Sequence, residues 1–184
     1  MEIFYKAKKR CDGEGVFAGA LAEAFQAKVR PEHYKLPDGM PLTLKTDHAL
    51  KRLRTQLPPC KSGPQLREHI QNLPPTVKIY TSIKRVNCDV VIVSNGRAHF
   101  IEYHEDQHRN LKDARSRKIF TEDGEAIMVP RYVQRYLRDI WRIEHLHPLT
   151  IMWEDQFERV GLKGFELAES GVIEHSHRFA LTQL

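Results

Sequence analysis

The dipeptide Asn95-Gly96 constrains what this chain can fold into more than any other pair of its residues. A two-residue type I′ turn needs positive φ at both central positions, and Asn followed by Gly supplies that readily. Two short apolar runs flank it, residues 88 to 94 and 97 to 104, so CDVVIVSNGRAHFIEYH reads as an antiparallel hairpin. With Asn95 and Gly96 as the turn, the register follows: Ser94 pairs with Arg97, Val93 with Ala98, Ile92 with His99, Val91 with Phe100, Val90 with Ile101, and Asp89 with Glu102.

Two carboxylates are thereby placed directly opposite each other. Cβ atoms of such a pair lie about 4.5 to 5.5 Å apart, and like charges there destabilise a sheet. A divalent cation resolves the conflict, because hard ions such as Mg²⁺ are held by one or two carboxylates together with water and phosphate oxygens. The competing reading is an edge hairpin on which solvent screens the pair, or an Arg that neutralises one acid. Alternation along the strand also puts Asp89, Glu102 and His104 on one face, with Gln107 and His108 just past its end.

At 184 residues the chain is long enough for one domain, residues 1 to 184, with an ordinary core and no requirement for a second domain. Its 29 Lys and Arg against 24 Asp and Glu give a charge of +5, which suits a polyanionic partner. Cys11, Cys60 and Cys88 are odd in number and far apart, so they form neither a disulfide framework nor a metal knuckle, and a reducing, cytoplasmic setting is expected. No apolar run approaches the ~20 residues of a membrane span, and no secretory h-region is seen, so no membrane association is expected.

Apolar residues Val16, Phe17, Ala20, Leu21, Ala24 and Phe25 predict a helix over 14 to 28, followed by a Pro- and Gly-punctuated loop from Pro31 to Pro41. Short helices are expected around Asp47 to Arg54 and Gln65 to Asn72. Val77 to Ile83 alternates as a strand, the hairpin follows, and the nearly all-apolar Leu149 to Trp153 suits a buried central strand. Between them Pro130 stands at an N1-like position before a helix with the stripe Tyr132, Val133, Tyr136, Leu137, Ile140 and Trp141. Arg131, Arg135, Arg138 and Arg142 fall mainly on its other faces, where they either solvate the helix or touch phosphates. The fold class expected is α/β: a small mixed β-sheet with a central β-hairpin, flanked by helices.

His104-Glu105-Asp106-Gln107-His108 also matches HExxH, in which two His one helical turn apart bind zinc and the Glu is general base. That match requires a helix where the hairpin requires a strand. As a strand, the segment resembles the PD-(D/E)XK nuclease superfamily, whose core hairpin bears an Asp, then a Glu or Asp followed two residues on by Lys or a substitute. The nearer likeness is to the branch of very-short-patch-repair endonucleases, in which a strand of type IExxGxQH precedes a basic helix and a strand ending near Trp-Glu. This chain offers IEYHEDQH from Ile101, QRYLRDIWR from Gln134 and LTIMWED from Leu149, so the resemblance spans about residues 77 to 158. It departs in having His104 where the Lys stands and Glu105 in place of the Gly.

The resemblance implies a restriction-endonuclease-like fold and a Mg²⁺-dependent endodeoxyribonuclease acting on double-stranded DNA, of restriction or repair type. By it, Asp89, Glu102 and the main-chain carbonyl of Tyr103 would bind the metal, and His104 or Gln107 would orient or polarise the attacking water. An acid on the first helix, Glu14 or Glu23, could approach the same site. With one site per chain, cutting both strands calls for a homodimer. The alternatives are a non-catalytic nucleic-acid-binding module, favoured by the missing Lys, and a zinc hydrolase using His104, Glu105 and His108.

Overall fold

The computed structural model describes residues 1–6, 12–53, 63–83, 86–104, 115–154, 165–167 and 173–175. In chain order the elements are β1 (Glu2–Tyr5), α1 (Asp12–Ala24), β2 (Lys28–Arg30), β3 (Thr43–Lys45), α2 (Thr46–Leu53), α3 (Gly63–Gln71), β4 (Thr76–Lys78), β5 (Val90–Ser94), β6 (Arg97–His104), β7 (Ser116–Phe120), β8 (Ala126–Pro130), α4 (Arg131–His145), β9 (Leu149–Trp153), β10 (Phe165–Leu167) and β11 (Ile173–His175). The chain is α/β. The expected single domain is organised as two compact units, one from Met1–Lys35, Asn87–Gln107 and Leu146–Gln183, the other chiefly from Leu36–Val86 and His108–His145. No helix is long and apolar enough to cross a membrane among the described residues.

In the first unit the turn forms as its sequence demands, with φ of 50° at Asn95 and 75° at Gly96. The β5–β6 ladder runs from Ser94↔Arg97 to Val90↔Ile101 in the register read from the turn. β1 adds antiparallel to β5, β2 parallel to β1, and β9 parallel to β6, giving a mixed five-stranded sheet of order β2-β1-β5-β6-β9. β9 is the outermost of these strands and not a central one. Four consecutive residues of it are nevertheless buried, so both of its faces are covered.

Helix α1 closes one face of this sheet, setting Phe17, Ala18 and Leu21 against Ile3, Val90, Ile92, Ile101, Tyr103 and Met152. The Phe17 and Tyr103 rings stack at 5.1 Å. Each large side chain buried here contributes about 1.5 to 3 kcal/mol. The buried stripe is narrower than the pattern suggested: Val16 is 63% exposed and the helix ends at Ala24, after which Gln26 turns left-handed and β2 begins. In the same sheet His99 Nε2 lies 2.8 Å from Thr150 Oγ1, which satisfies two buried polar groups.

The second unit holds a four-stranded sheet of order β3-β4-β7-β8 with α2, α3 and α4. Helix α4 buries Val133, Tyr136, Leu137, Ile140 and Trp141. Tyr136 donates its hydroxyl to Ala49 O at 2.7 Å, and burial pushes its phenol well above the ordinary range. The Trp141 indole donates to Pro41 O at 2.9 Å and takes the Tyr80 ring edge-on at 5.2 Å.

The fold departs from the expected elements in this unit. The strand expected over Val77 to Ile83 spans only Thr76–Lys78; Ile79 N still donates to Leu42 O, one step further along the β3 register, and the Tyr80 ring then turns to Trp141. It also joins β3 and β7, not the sheet of the Asp89–Glu102 hairpin. Pro130 closes β8, so α4 starts one residue later, at Arg131.

Candidate active site

The hairpin ladder stops at Val90↔Ile101, one step short of the Asp89–Glu102 pair. Asp89 stands just outside β5, half-buried, and its Oδ2 accepts the main-chain N–H of Tyr103 at 3.1 Å. The carboxylate is thus tied to the residue between Glu102 and His104. Such bonds to an ionised acceptor are stronger than neutral ones and fix the acid in place.

Glu102 and His104 are two residues apart on β6 and share the face opposite Tyr103. Their exposures are 7% and 5%. β9 lies alongside with Ile151 beside Glu102 and Trp153 beside His104, and the His104 and Trp153 rings meet at 4.8 Å. Trp153 therefore limits where the imidazole can turn. The sequence pattern assigns Trp153 no role, and only the parallel register of β6 and β9 reveals one.

The first turn of α1 closes on the ends of the same two strands. A Cβ at Gly13 would lie 2.8 Å from Glu154 Oε1 and 3.3 Å from the Tyr103 ring, so glycine permits this approach. The next residue, Glu14, is buried, whereas Glu23 is exposed. Of the two helix acids that the sequence offers, only Glu14 is enclosed by the fold.

Glu102 is buried and Asp89 is oriented by its bond from the Tyr103 amide; two carboxylates and a main-chain carbonyl are the kind of oxygen donors that could hold Mg²⁺. No cluster of three or more His, Cys, Asp or Glu able to hold a metal occurs among the described residues. The set read from the sequence has only two carboxylates and takes its third donor from the main chain. Gln107, Glu105 and His108 lie outside the described residues. His104 ends a strand, so the helix that HExxH requires does not include it.

The four arginines of α4 divide in the second unit. Arg131 and Arg135 are half-buried. Arg138 stacks its guanidinium over the Tyr80 ring at 5.2 Å. Arg142, expected on an outer face, is only 8% exposed and donates to Asp139 Oδ1 at 3.0 Å. It follows Trp141 directly, at the margin of the buried stripe, where its stem packs while its head pairs within the helix. His145, half of an HxH pair with His147, places Nδ1 2.8 Å from Trp141 O and stacks on that indole, a local role at the helix end.

In comparisons with family models, with curated proteins and with solved structures, the chain finds no match.

Proposed function

We propose that this chain is a metal-dependent endodeoxyribonuclease of the PD-(D/E)XK kind, with a restriction-endonuclease-like fold and double-stranded DNA as substrate. The observation that supports it most is the tie of Asp89 Oδ2 to Tyr103 N, which brings a second carboxylate to the strand segment bearing buried Glu102 and His104. In this reading Asp89, Glu102 and the Tyr103 carbonyl hold Mg²⁺. The ion, when bound, lowers the pKa of a water and offsets charge on the phosphate and leaving oxygen.

The chain's own residues supply orientation. Asp89 is held by the Tyr103 amide, and Glu102 by its pairing with Ile151 of β9. His104, limited by Trp153, takes the place of the usual Lys; its ring orients the attacking water and adds positive charge when protonated. Gln107 is the other candidate for that task. A restriction-type role in the cytoplasm, with a homodimer to cut both strands, completes the proposal.

A plasmid-nicking assay with Mg²⁺ or EDTA, on wild type and on Asp89→Asn and Glu102→Gln, tests it. Nicking that needs Mg²⁺ and is lost in both variants is the expected result. Nicking in EDTA, or at the wild-type rate in either variant, rules the site out. The second reading, a binding module without catalysis, is favoured by His104 standing where a Lys is usual, and it predicts DNA binding with no nicking under any condition.

A further inference from the structure

The β7–β8 hairpin of the second unit carries a feature that the nuclease reading leaves unused. Among the described residues β7 pairs with β4 only at Phe120, and residues 116 to 119 pair with β8 alone, as a two-stranded ribbon. One ribbon face carries Arg117, Ile119, Ile127 and Val129, of which Ile119 and Val129 are buried. The other face carries Lys118 and Met128, both exposed and directly across from each other. Met128 is 56% exposed, one of three large apolar side chains left so open among the described residues.

Charge is concentrated at one end of this ribbon. The ladder ends at Ser116↔Pro130, and one step further Arg131 N donates to Arg115 O at 3.0 Å, so both arginines stand at this end of the ribbon. With exposed Arg117 and Lys118 beside them, four cations crowd into one end. The acids of the hairpin, Glu122, Asp123 and Glu125, lie at the other end beyond Phe120. The three-residue rise from Arg117 to Phe120 already spans about 10 Å, more than the ~8 Å Debye length at physiological salt, so the acidic tip offsets little of the charge of Arg117. The ribbon is anchored too, since Gln134 of α4 donates to Lys118 O at 2.7 Å.

We propose that the basic end of the β7–β8 ribbon is a docking surface for duplex DNA. Arg117 and Lys118 meet phosphates while the Lys118–Met128 face lies against the groove. A two-stranded ribbon fits the major groove of B-form DNA, and its basic end complements the phosphate charge. The proposal deepens the nuclease reading and rests on it for the identity of the polyanion.

The test is fluorescence anisotropy of a labelled random-sequence DNA duplex with the full chain in EDTA, over a salt series, so that binding is measured apart from cleavage. The Arg117→Ala/Lys118→Ala double variant is expected to bind about tenfold more weakly, with a salt slope flatter by roughly 0.9 for each phosphate it no longer neutralises. A Lys45→Ala/Lys51→Ala variant removes two exposed cations elsewhere in the same unit and is expected to keep most of the slope. Circular dichroism melts confirm that each variant folds. Ribbon-dependent binding without Mg²⁺-dependent nicking sustains the ribbon and sinks the nuclease reading. Nicking with unchanged binding in the ribbon variant does the reverse. Equal slopes in the two double variants, no binding by wild type, or equal competition by duplex RNA, whose major groove is too narrow for a ribbon, overturns the proposal.

Discussion

Replacing Asp89 separates two effects of its carboxylate that act in opposite directions. Its Oδ2 accepts the N–H of Tyr103, a residue 1% exposed. Asp89→Ala strands that buried donor, at about 1 to 3 kcal/mol. The same change removes one of two neighbouring like charges, which returns about 0.2 to 1 kcal/mol. The hydrogen bond wins, leaving a net loss of roughly 1 to 2 kcal/mol. For a chain of this size that lowers the melting temperature by about 2 to 8 °C. Facing charges alone would predict a rise, so the bond reverses the sign. Asp89→Asn keeps an oxygen that can accept the same N–H and discards the charge, so its melting temperature in EDTA stays at the wild-type value or rises. Thermal unfolding by circular dichroism measures this, and amide exchange at Tyr103 should quicken in the Ala variant alone. Should the Ala and Asn variants melt together, the Tyr103 bond is not what holds Asp89 and the reasoning is wrong.

Gly19→Ala on α1 meets nothing within 4 Å and should stabilise the chain by about 0.5 to 1 kcal/mol, whereas Gly13→Ala, pressed against Glu154 and Tyr103, should gain nothing; urea titration compares them. Trp141→Ala removes a fully buried indole and its bond to Pro41, so a loss of about 3 to 5 kcal/mol is expected by the same titration, and a loss below about 1 kcal/mol would contradict the packing described. His104→Ala should slow Mg²⁺-dependent nicking by about 10²- to 10⁴-fold, and His104→Lys should restore much of it by supplying a permanent charge. An inactive Lys variant with an active Ala variant would remove His104 from the site.

What the sequence disclosed of this fold follows how local each determinant is. A two-residue turn leaves the register no freedom, and every observed β5–β6 pair is the one that Asn95-Gly96 dictates. β9 matches its apolar run residue for residue, and α2 and α3 lie within two residues of their patterns. β1 and β2 have four and three residues and carry no legible period; β1 lies along the free edge of β5 and β2 along β1. The β7–β8 hairpin is not legible although Asp123-Gly124 lies at its turn, with Gly124 at φ 92°, because its strands alternate only weakly and expose half of their residues.

The candidate site divides along the same line. That Asp89 would come to the segment of β6 that bears Glu102 was legible, because it depends on the turn six residues away. That Asp89 would leave the ladder and bind the Tyr103 amide was not, because it depends on where β5 begins, and strand ends are set by competition among neighbours. The burial of Arg142 is a further case: a residue's charge says little about its exposure when a long apolar stem sits beside a tryptophan at the edge of a helix stripe. Sheet membership was the least legible feature of all. Nothing local distinguishes a strand at Thr76–Lys78 that continues the hairpin's sheet from one that pairs with β3, since both need the same alternation. The choice falls to β3, a segment far away in sequence, whose register Thr43↔Lys78 is carried one step further by Ile79 N donating to Leu42 O.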